Sequence, residues 1–95
     1  MKTHPETLAR RFVVHGRVQG VGFRYFVRNE AEGLALDGYV KNRADGTVEV
    51  CASGGREQIE QLKRRLAQGP RWSRVDRVDE SETETAPHAG FHVEY

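Results

Sequence analysis

Two segments of the chain place apolar residues at helical spacing. The first runs from Phe23 to Gly33, where apolar positions recur every three or four residues and charged residues fall mostly elsewhere on the helical wheel. The second contains Ile59, Leu62 and Leu66 and is followed by Gly69-Pro70, a sequence that ends helices. We therefore predict two amphipathic helices, each with one apolar side facing a core.

The segments around these helices carry strand patterns. Arg11–Gly16 is short and rich in β-forming residues, and Phe91–Tyr95 alternates apolar and polar positions. Asp37–Asn42 and Thr47–Ala52 flank an Asp-Gly turn, which predicts a β-hairpin. A weaker strand holds Val75 and Val78, and their spacing of three indicates a bulge. The acidic run that follows, Asp79–Glu84, is predicted to lie on the surface rather than in the core.

The resulting order is β-α-β-β-α-β with one further strand at the end. Two right-handed βαβ units fold most simply as an α+β, ferredoxin-like βαββαβ sandwich, with a mostly antiparallel sheet and both helices on one face. Strands one and three would then lie together in the middle of the sheet, with strand two beside strand three. The pattern leaves the sheet position of the last strand open. We expect a loose arm over Met1–Leu8 and a single domain over residues 9–95.

Composition narrows the class of protein. With 95 residues, 37% of them hydrophobic, the chain is typical of one small globular domain. No apolar run approaches the ~20 residues that span a bilayer, and the first residues lack the apolar stretch of a signal peptide. A single cysteine, Cys51, excludes a disulfide framework. We expect a cytoplasmic monomer, and the net charge of +1 provides no general attraction to nucleic acid or membranes.

The most informative segment is the glycine-rich stretch Arg17–Gly22 between the first strand and the first helix. Its backbone N–H groups can converge on an anion, and the helix N-terminus that follows also favours negative charge. Arg24, on the first helical turn, can add a bidentate guanidinium. This pattern alone is explained equally well by an ordinary tight turn with the Arg24 side chain in solvent.

Asn42 ends the second predicted strand and can come near this loop in the expected topology. Its carboxamide can accept a hydrogen bond from a water molecule and orient it. The competing interpretation is that Asn42 only begins the turn, where asparagine is common.

Two stretches of the chain resemble the signatures of the acylphosphatase family. Val14–Arg24, VHGRVQGVGFR, resembles the first signature, and Gly38–Gly54, GYVKNRADGTVEVCASG, resembles the second with its spacing intact. The resemblance covers nearly the whole chain, through the final FHVEY. It implies the ferredoxin-like fold and an enzyme that hydrolyses acyl phosphates to a carboxylate and inorganic phosphate. The family pattern also begins a larger hydrogenase-maturation carbamoyltransferase, and from the chain's 95 residues we expect the stand-alone form.

The resemblance also implies roles for particular residues. Arg24 and the loop amides would bind the substrate phosphate, and Asn42 would orient the attacking water. The loop consists of Arg17, Val18, Gln19, Gly20, Val21 and Gly22. A carboxylate leaving group has a conjugate-acid pKa of about 4 and departs without a general acid. Phosphoryl transfer passes through a loose transition state, which positioning and charge stabilisation can serve.

No cofactor or metal is expected. The histidines His4, His15, His88 and His92 are scattered, and Cys51 has no base partner in the sequence. We expect His15 to have a structural or surface role. Acetyl phosphate, carbamoyl phosphate and 1,3-bisphosphoglycerate share the reacting group, and the sequence does not choose among them.

The alternative is a non-catalytic ferredoxin-like module that binds RNA or another anion. RNA-binding modules of this fold stack bases on aromatic side chains of the central strands. Strand three carries no aromatic residue and strand one carries only Phe12, which argues against RNA. Turnover would distinguish the enzyme from either binding module.

Overall fold

The chain forms the predicted succession of strands and helices. A computed structural model describes residues 7–84 and 89–95. In chain order the elements are β1 (Thr7–Arg17), α1 (Phe23–Gly33), β2 (Asp37–Asn42), β3 (Val48–Gly55), α2 (Arg56–Gln68), β4 (Arg74–Glu82) and β5 (Phe91–Glu94).

The strands form one sheet in the order β4-β1-β3-β2-β5. β1 and β3 are antiparallel neighbours at its centre, and β3 forms the expected hairpin with β2. The last strand, whose place the pattern left open, lies parallel to β2 at the edge. The ferredoxin-like α+β prediction is confirmed, and β5 adds a fifth strand to it.

The central pair is longer than predicted. Thr7 pairs with Gly55 and Leu8 with Gly54, so residues 7 and 8 belong to β1 rather than to an arm. β3 likewise continues past the predicted end at Ala52, because its pairing with β1 extends through Gly54 and Gly55. Residues 1–6 of the predicted arm lie outside the described residues.

The predicted bulge in the fourth strand is present. His15 pairs with Arg77 while Gly16 pairs with Val75, so β4 gains one residue relative to β1. Gly16 has φ +132°, and a Cβ there would lie 2.1 Å from the carbonyl oxygen of Arg74. Glycine is therefore required where the two backbones come closest.

The core lies between the two helices and one face of the sheet. α1 buries Phe23, Val27 and Ala31, and α2 buries Ile59, Leu62 and Leu66, as the periodicity predicts. The same core includes Phe12, Val14, Val48 and Val50 of the central strands. Because Phe23 is the first residue of α1, its burial fixes the start of the helix against the sheet.

The opposite face of β3 is also buried. Glu49 and Cys51 are only 8% and 6% exposed, although the two described helices pack in the core with Val48 and Val50 of the other face. The Tyr39 hydroxyl donates a 2.6 Å hydrogen bond to Glu49, which satisfies one oxygen of this carboxylate. Burial, together with that bond, raises the pKa of Tyr39. Burial also raises the pKa of the Cys51 thiol, so this cysteine is held in its less reactive form.

Candidate active site

The loop between β1 and α1 is shaped by two glycines in left-handed backbone conformations. Gly20 has φ +74° and Gly22 has φ +75°. A Cβ at either position would meet nothing within 4 Å, so backbone conformation rather than space requires glycine. Val18, only 1% exposed, anchors the loop in the core.

The N-terminus of α1 opens directly from this loop. Gly22 is the N-cap residue, no side chain caps the helix, and its first turn contains no acidic residue. The first N–H groups of a helix lack intrahelical partners and carry its positive partial charge. This end of α1 therefore favours an anion.

Gln19 fastens the loop to the β2–β3 turn. Its Nε2 donates 2.9 Å hydrogen bonds to the carbonyl oxygens of Arg43 and Thr47. The turn is held in place by Asp45, whose Oδ1 accepts bonds from the backbone N–H and the hydroxyl of Thr47. Both amide hydrogens of Gln19 are thus engaged, and its side chain is a tether that loop spacing alone did not indicate.

Arg24 lies on the first turn of α1, as predicted. Its Nη1 donates a 2.9 Å hydrogen bond to the carbonyl oxygen of Glu94, and its guanidinium lies 4.6 Å from the centre of the Tyr95 ring. The Tyr95 hydroxyl is in turn hydrogen-bonded to the hydroxyl of Tyr25. The sequence pattern did not assign Glu94 or Tyr95 to the site, because the sheet position of β5 was not evident from it.

Asn42 is the last residue of β2. Its Oδ1 is buried and has no hydrogen-bond partner within residues 7–84 and 89–95. An unsatisfied buried acceptor is costly, so such an atom is a natural place for a ligand or water to donate a hydrogen bond.

The loop, the start of α1 and the end of β2 together line one cavity of about 120 Å³. Arg24, Asn42 and Tyr25 line it together with Val18, Gly20, Gly22 and Phe23. Three predicted loop residues do not line it. Arg17 is exposed, Val21 packs against the core, and Gln19 bonds to the hairpin turn.

Comparisons with known proteins identify the family of this chain. The family model described as acylphosphatase matches residues 10–93. The chain belongs to the acylphosphatase family. It is 42% identical over 88 residues to an acylphosphatase of Petrotoga mobilis, covering 93% of this chain and 99% of that one. An acylphosphatase of Pasteurella multocida is 46% identical over 89 residues, with the same coverage.

Solved acylphosphatase structures share the fold as well. The crystal structure of the Bacillus subtilis acylphosphatase matches with a TM-score of 0.88 at 40% identity, over 93% of this chain and 99% of that one. The predictions of the family, of its fold and of an acylphosphatase-class hydrolase are confirmed. In the described parts of the chain, no helix is long and apolar enough to cross a membrane.

The remaining polar candidates do not assemble into a second centre within the described ranges. No three His, Cys, Asp or Glu side chains there are placed to hold a metal ion together. His15 hydrogen-bonds to Asp79 Oδ2 at 2.9 Å on the surface of the sheet. His4 and His88 lie outside the described residues.

Proposed function

We propose that the chain hydrolyses acyl phosphates by attack of a water oriented by Asn42 on a phosphate held by Arg24 and the amides of residues 17–22. The observation that carries this proposal is the joint lining of one cavity by Arg24 and by Asn42, whose buried Oδ1 is unsatisfied within the described residues. One residue supplies positive charge and the other an acceptor, and both are needed for metal-free attack by water.

Phosphate binding follows from the arrangement of donors. The loop turns through Gly20 and Gly22 into the positive end of α1, and Arg24 lies one residue beyond the start of that helix. Backbone amides and a planar guanidinium are well suited to phosphate oxygens. Because Glu94 and Tyr95 hold the guanidinium, its position costs little reorganisation when charge develops in the transition state.

The water needs orientation more than activation. An Asn42 Oδ1 that accepts a hydrogen bond from water reduces the entropy cost of placing that water in line with the leaving oxygen. The carboxylate leaves unprotonated, so a general acid is not required. Among the described residues, the cavity lining includes no carboxylate or imidazole side chain, and we infer that the water's proton passes to an oxygen of the substrate phosphate.

The binding-module alternative is less well supported. Phe12, the aromatic residue of the first central strand, is fully buried in the core and cannot stack on a base. The helix-free side of β3 carries the Glu49 carboxylate, which would repel a phosphate backbone. We infer a small-molecule substrate rather than nucleic acid.

The deciding experiment is hydrolysis of benzoyl phosphate by the purified protein in excess EDTA. Asn42→Ala is compared with Gln68→Ala, a truncated carboxamide at the exposed end of α2. We expect fast wild-type turnover that chelation does not change, and its loss in Asn42→Ala alone. Absence of turnover in folded wild-type protein would contradict the proposal, and salt-dependent RNA binding would then favour the module.

A further inference from the structure

A second and larger cavity adjoins the phosphate cavity. Its volume is about 510 Å³, and Tyr25, Arg28 and Glu32 line it from α1 while β5 and its flanking residues line it from the sheet. Tyr25 lines both cavities and therefore forms part of the wall they share. A ligand held at Arg24 can extend past Tyr25 into this space.

In-line attack fixes the direction of the acyl group. The attacking water and the leaving oxygen lie on opposite sides of the phosphorus. If Asn42 holds the water, the acyl group must extend away from Asn42. Asn42 lines the smaller cavity and is absent from the described lining of the larger one, so the larger cavity is the neighbouring space that the water-orienting residue leaves to the acyl group.

Arg28 brings an incompletely paired cation to the larger cavity. Its Nε is buried without a hydrogen-bond partner in the described parts of the chain, and its Nη2 makes a long 3.4 Å bond to Asn29. The guanidinium lies 5.4 Å from the centre of the Tyr25 ring. Partial burial with so few bonds leaves this cation under-compensated, which favours an anionic ligand.

The spacing of Arg24 and Arg28 suits a substrate with two charged ends. Residues four apart in a helix lie on the same side and are separated by about 6 Å along the axis. A phosphate at Arg24 therefore places a compact acyl group alongside Arg28.

We propose that the larger cavity is the acyl subsite and that Arg28 selects acyl phosphates whose acyl part carries a second negative charge. This inference rests on the proposed function and names the substrate class of the same site. Glu32 lies one turn beyond Arg28 in the same cavity and opposes the selection. Arg28 and Glu32 therefore have opposite, separately testable effects.

The test uses two rigid substrates of nearly equal size, 4-carboxybenzoyl phosphate and its neutral counterpart 4-carbamoylbenzoyl phosphate. The aromatic ring prevents the carboxylate from attacking its own acyl phosphate. The measured quantity is the ratio of their kcat/KM values, each divided by the spontaneous hydrolysis rate. Arg28→Gln and Glu32→Gln are compared with wild type and with Arg64→Gln, which removes an exposed charge on α2.

We expect wild type to prefer the carboxylate substrate by about tenfold, as for one hydrogen bond to a charged group. Arg28→Gln should bring the ratio near one, Glu32→Gln should raise it, and Arg64→Gln should leave it unchanged. A wild-type ratio near one, or a ratio insensitive to Arg28, would overturn the inference while benzoyl phosphate turnover upholds the proposed function. Turnover of none of the three substrates would overturn both. If Arg28→Gln does not fold, the wild-type ratio and Glu32→Gln still decide.

Discussion

Arg24 and Asn42 reach one cavity from different elements and have different side-chain chemistry. Arg24 offers a fixed positive charge and N–H donors, while the Asn42 Oδ1 offers an acceptor. Phosphate needs donors and water needs an acceptor. Their roles should therefore separate when binding and turnover are measured independently.

The shape of the Arg24 side chain should matter as much as its charge. Nη1 is engaged by Glu94 and the planar group stacks on Tyr95, which a lysine ammonium cannot reproduce. We expect both Arg24→Lys and Arg24→Ala to weaken competitive inhibition by inorganic phosphate by about tenfold or more and to lower kcat. Arg64→Lys, on the exposed side of α2, is the matched control. Wild-type phosphate affinity in Arg24→Lys would show that charge alone suffices.

Asn42→Ala should lower turnover with little effect on phosphate binding. The substitution removes the acceptor for water but none of the loop amides or Arg24. We expect kcat for benzoyl phosphate to fall by ~10²-fold, while the inhibition constant of inorganic phosphate changes less than about twofold. Steady-state kinetics with phosphate as inhibitor measures both. Equal losses of phosphate affinity in the Asn42 and Arg24 variants would refute the division of roles.

At the scale of elements, the site depends on the junction of β1 and α1. β1 leads into the loop, and the buried Val18 anchors the loop in the core. Gly22 then redirects the backbone at the start of α1. The positive backbone φ at Gly22 is thus part of how the start of the helix is placed beside the cavity.

Gly22 and Gly33 offer a matched test of this junction. A Cβ would meet nothing within 4 Å at either position, but only Gly22 has a left-handed φ, +75°. We expect Gly22→Ala to destabilise the fold by about 1–2 kcal/mol and to weaken phosphate binding. Gly33→Ala, at the end of α1, should be neutral or stabilising by less than about 1 kcal/mol. Urea unfolding measures both, and equal effects would show that φ at Gly22 is unimportant.

The hairpin turn that receives Gln19 should be sensitive to acid through Asp45. The hydrogen bond from the Thr47 hydroxyl, followed by that from its backbone N–H, lowers the pKa of Asp45 below its usual range. A pKa lowered by folding adds stability above the unfolded value of about 3.9 and loses it as pH falls through the folded value. Wild type should therefore exceed Asp45→Asn in unfolding free energy at pH 7, and the difference should shrink as the pH falls below the unfolded pKa of about 3.9. A difference independent of pH would contradict this account.

Periodicity predicted the helices and strands well because buried apolar residues recur at a regular spacing along each of them. Ile59, Leu62 and Leu66 face the sheet together, so their spacing was informative before any contact was known. Glu49 lies between Val48 and Val50 of the core and so points to the second face of β3, but local sequence does not predict its burial there, beside Tyr39 of the neighbouring strand. Gln19 and Tyr95 likewise act through contacts with residues far along the chain, at Arg43, Thr47 and Arg24. Local patterns do not contain such pairings.

At the scale of the whole molecule, β4 and β5 are the edge strands of the sheet, and within residues 7–84 and 89–95 no further strand pairs with either of them. β5 is only four residues long, whereas β4 presents a nine-residue edge. Most β4 side chains are exposed, and ion pairs join Arg74 to Asp76 and Arg77 to Asp79. Charged side chains on an edge strand discourage pairing with a second sheet.

We therefore predict that the protein is a monomer and that the charges of β4 keep it so. Replacing Arg77 and Asp79 together by valine removes an ion pair and raises the β-propensity of an unpaired edge. Glu60 and Arg64 replaced by valine on the exposed side of α2 give a control with equal loss of charge away from the sheet. Sedimentation velocity over a range of concentrations should show a monomer for wild type and for the helix variant, and concentration-dependent association for the edge variant. A wild-type dimer would mean that the edge is paired despite its charges, and equal association of both variants would assign the effect to general hydrophobicity rather than to the sheet edge.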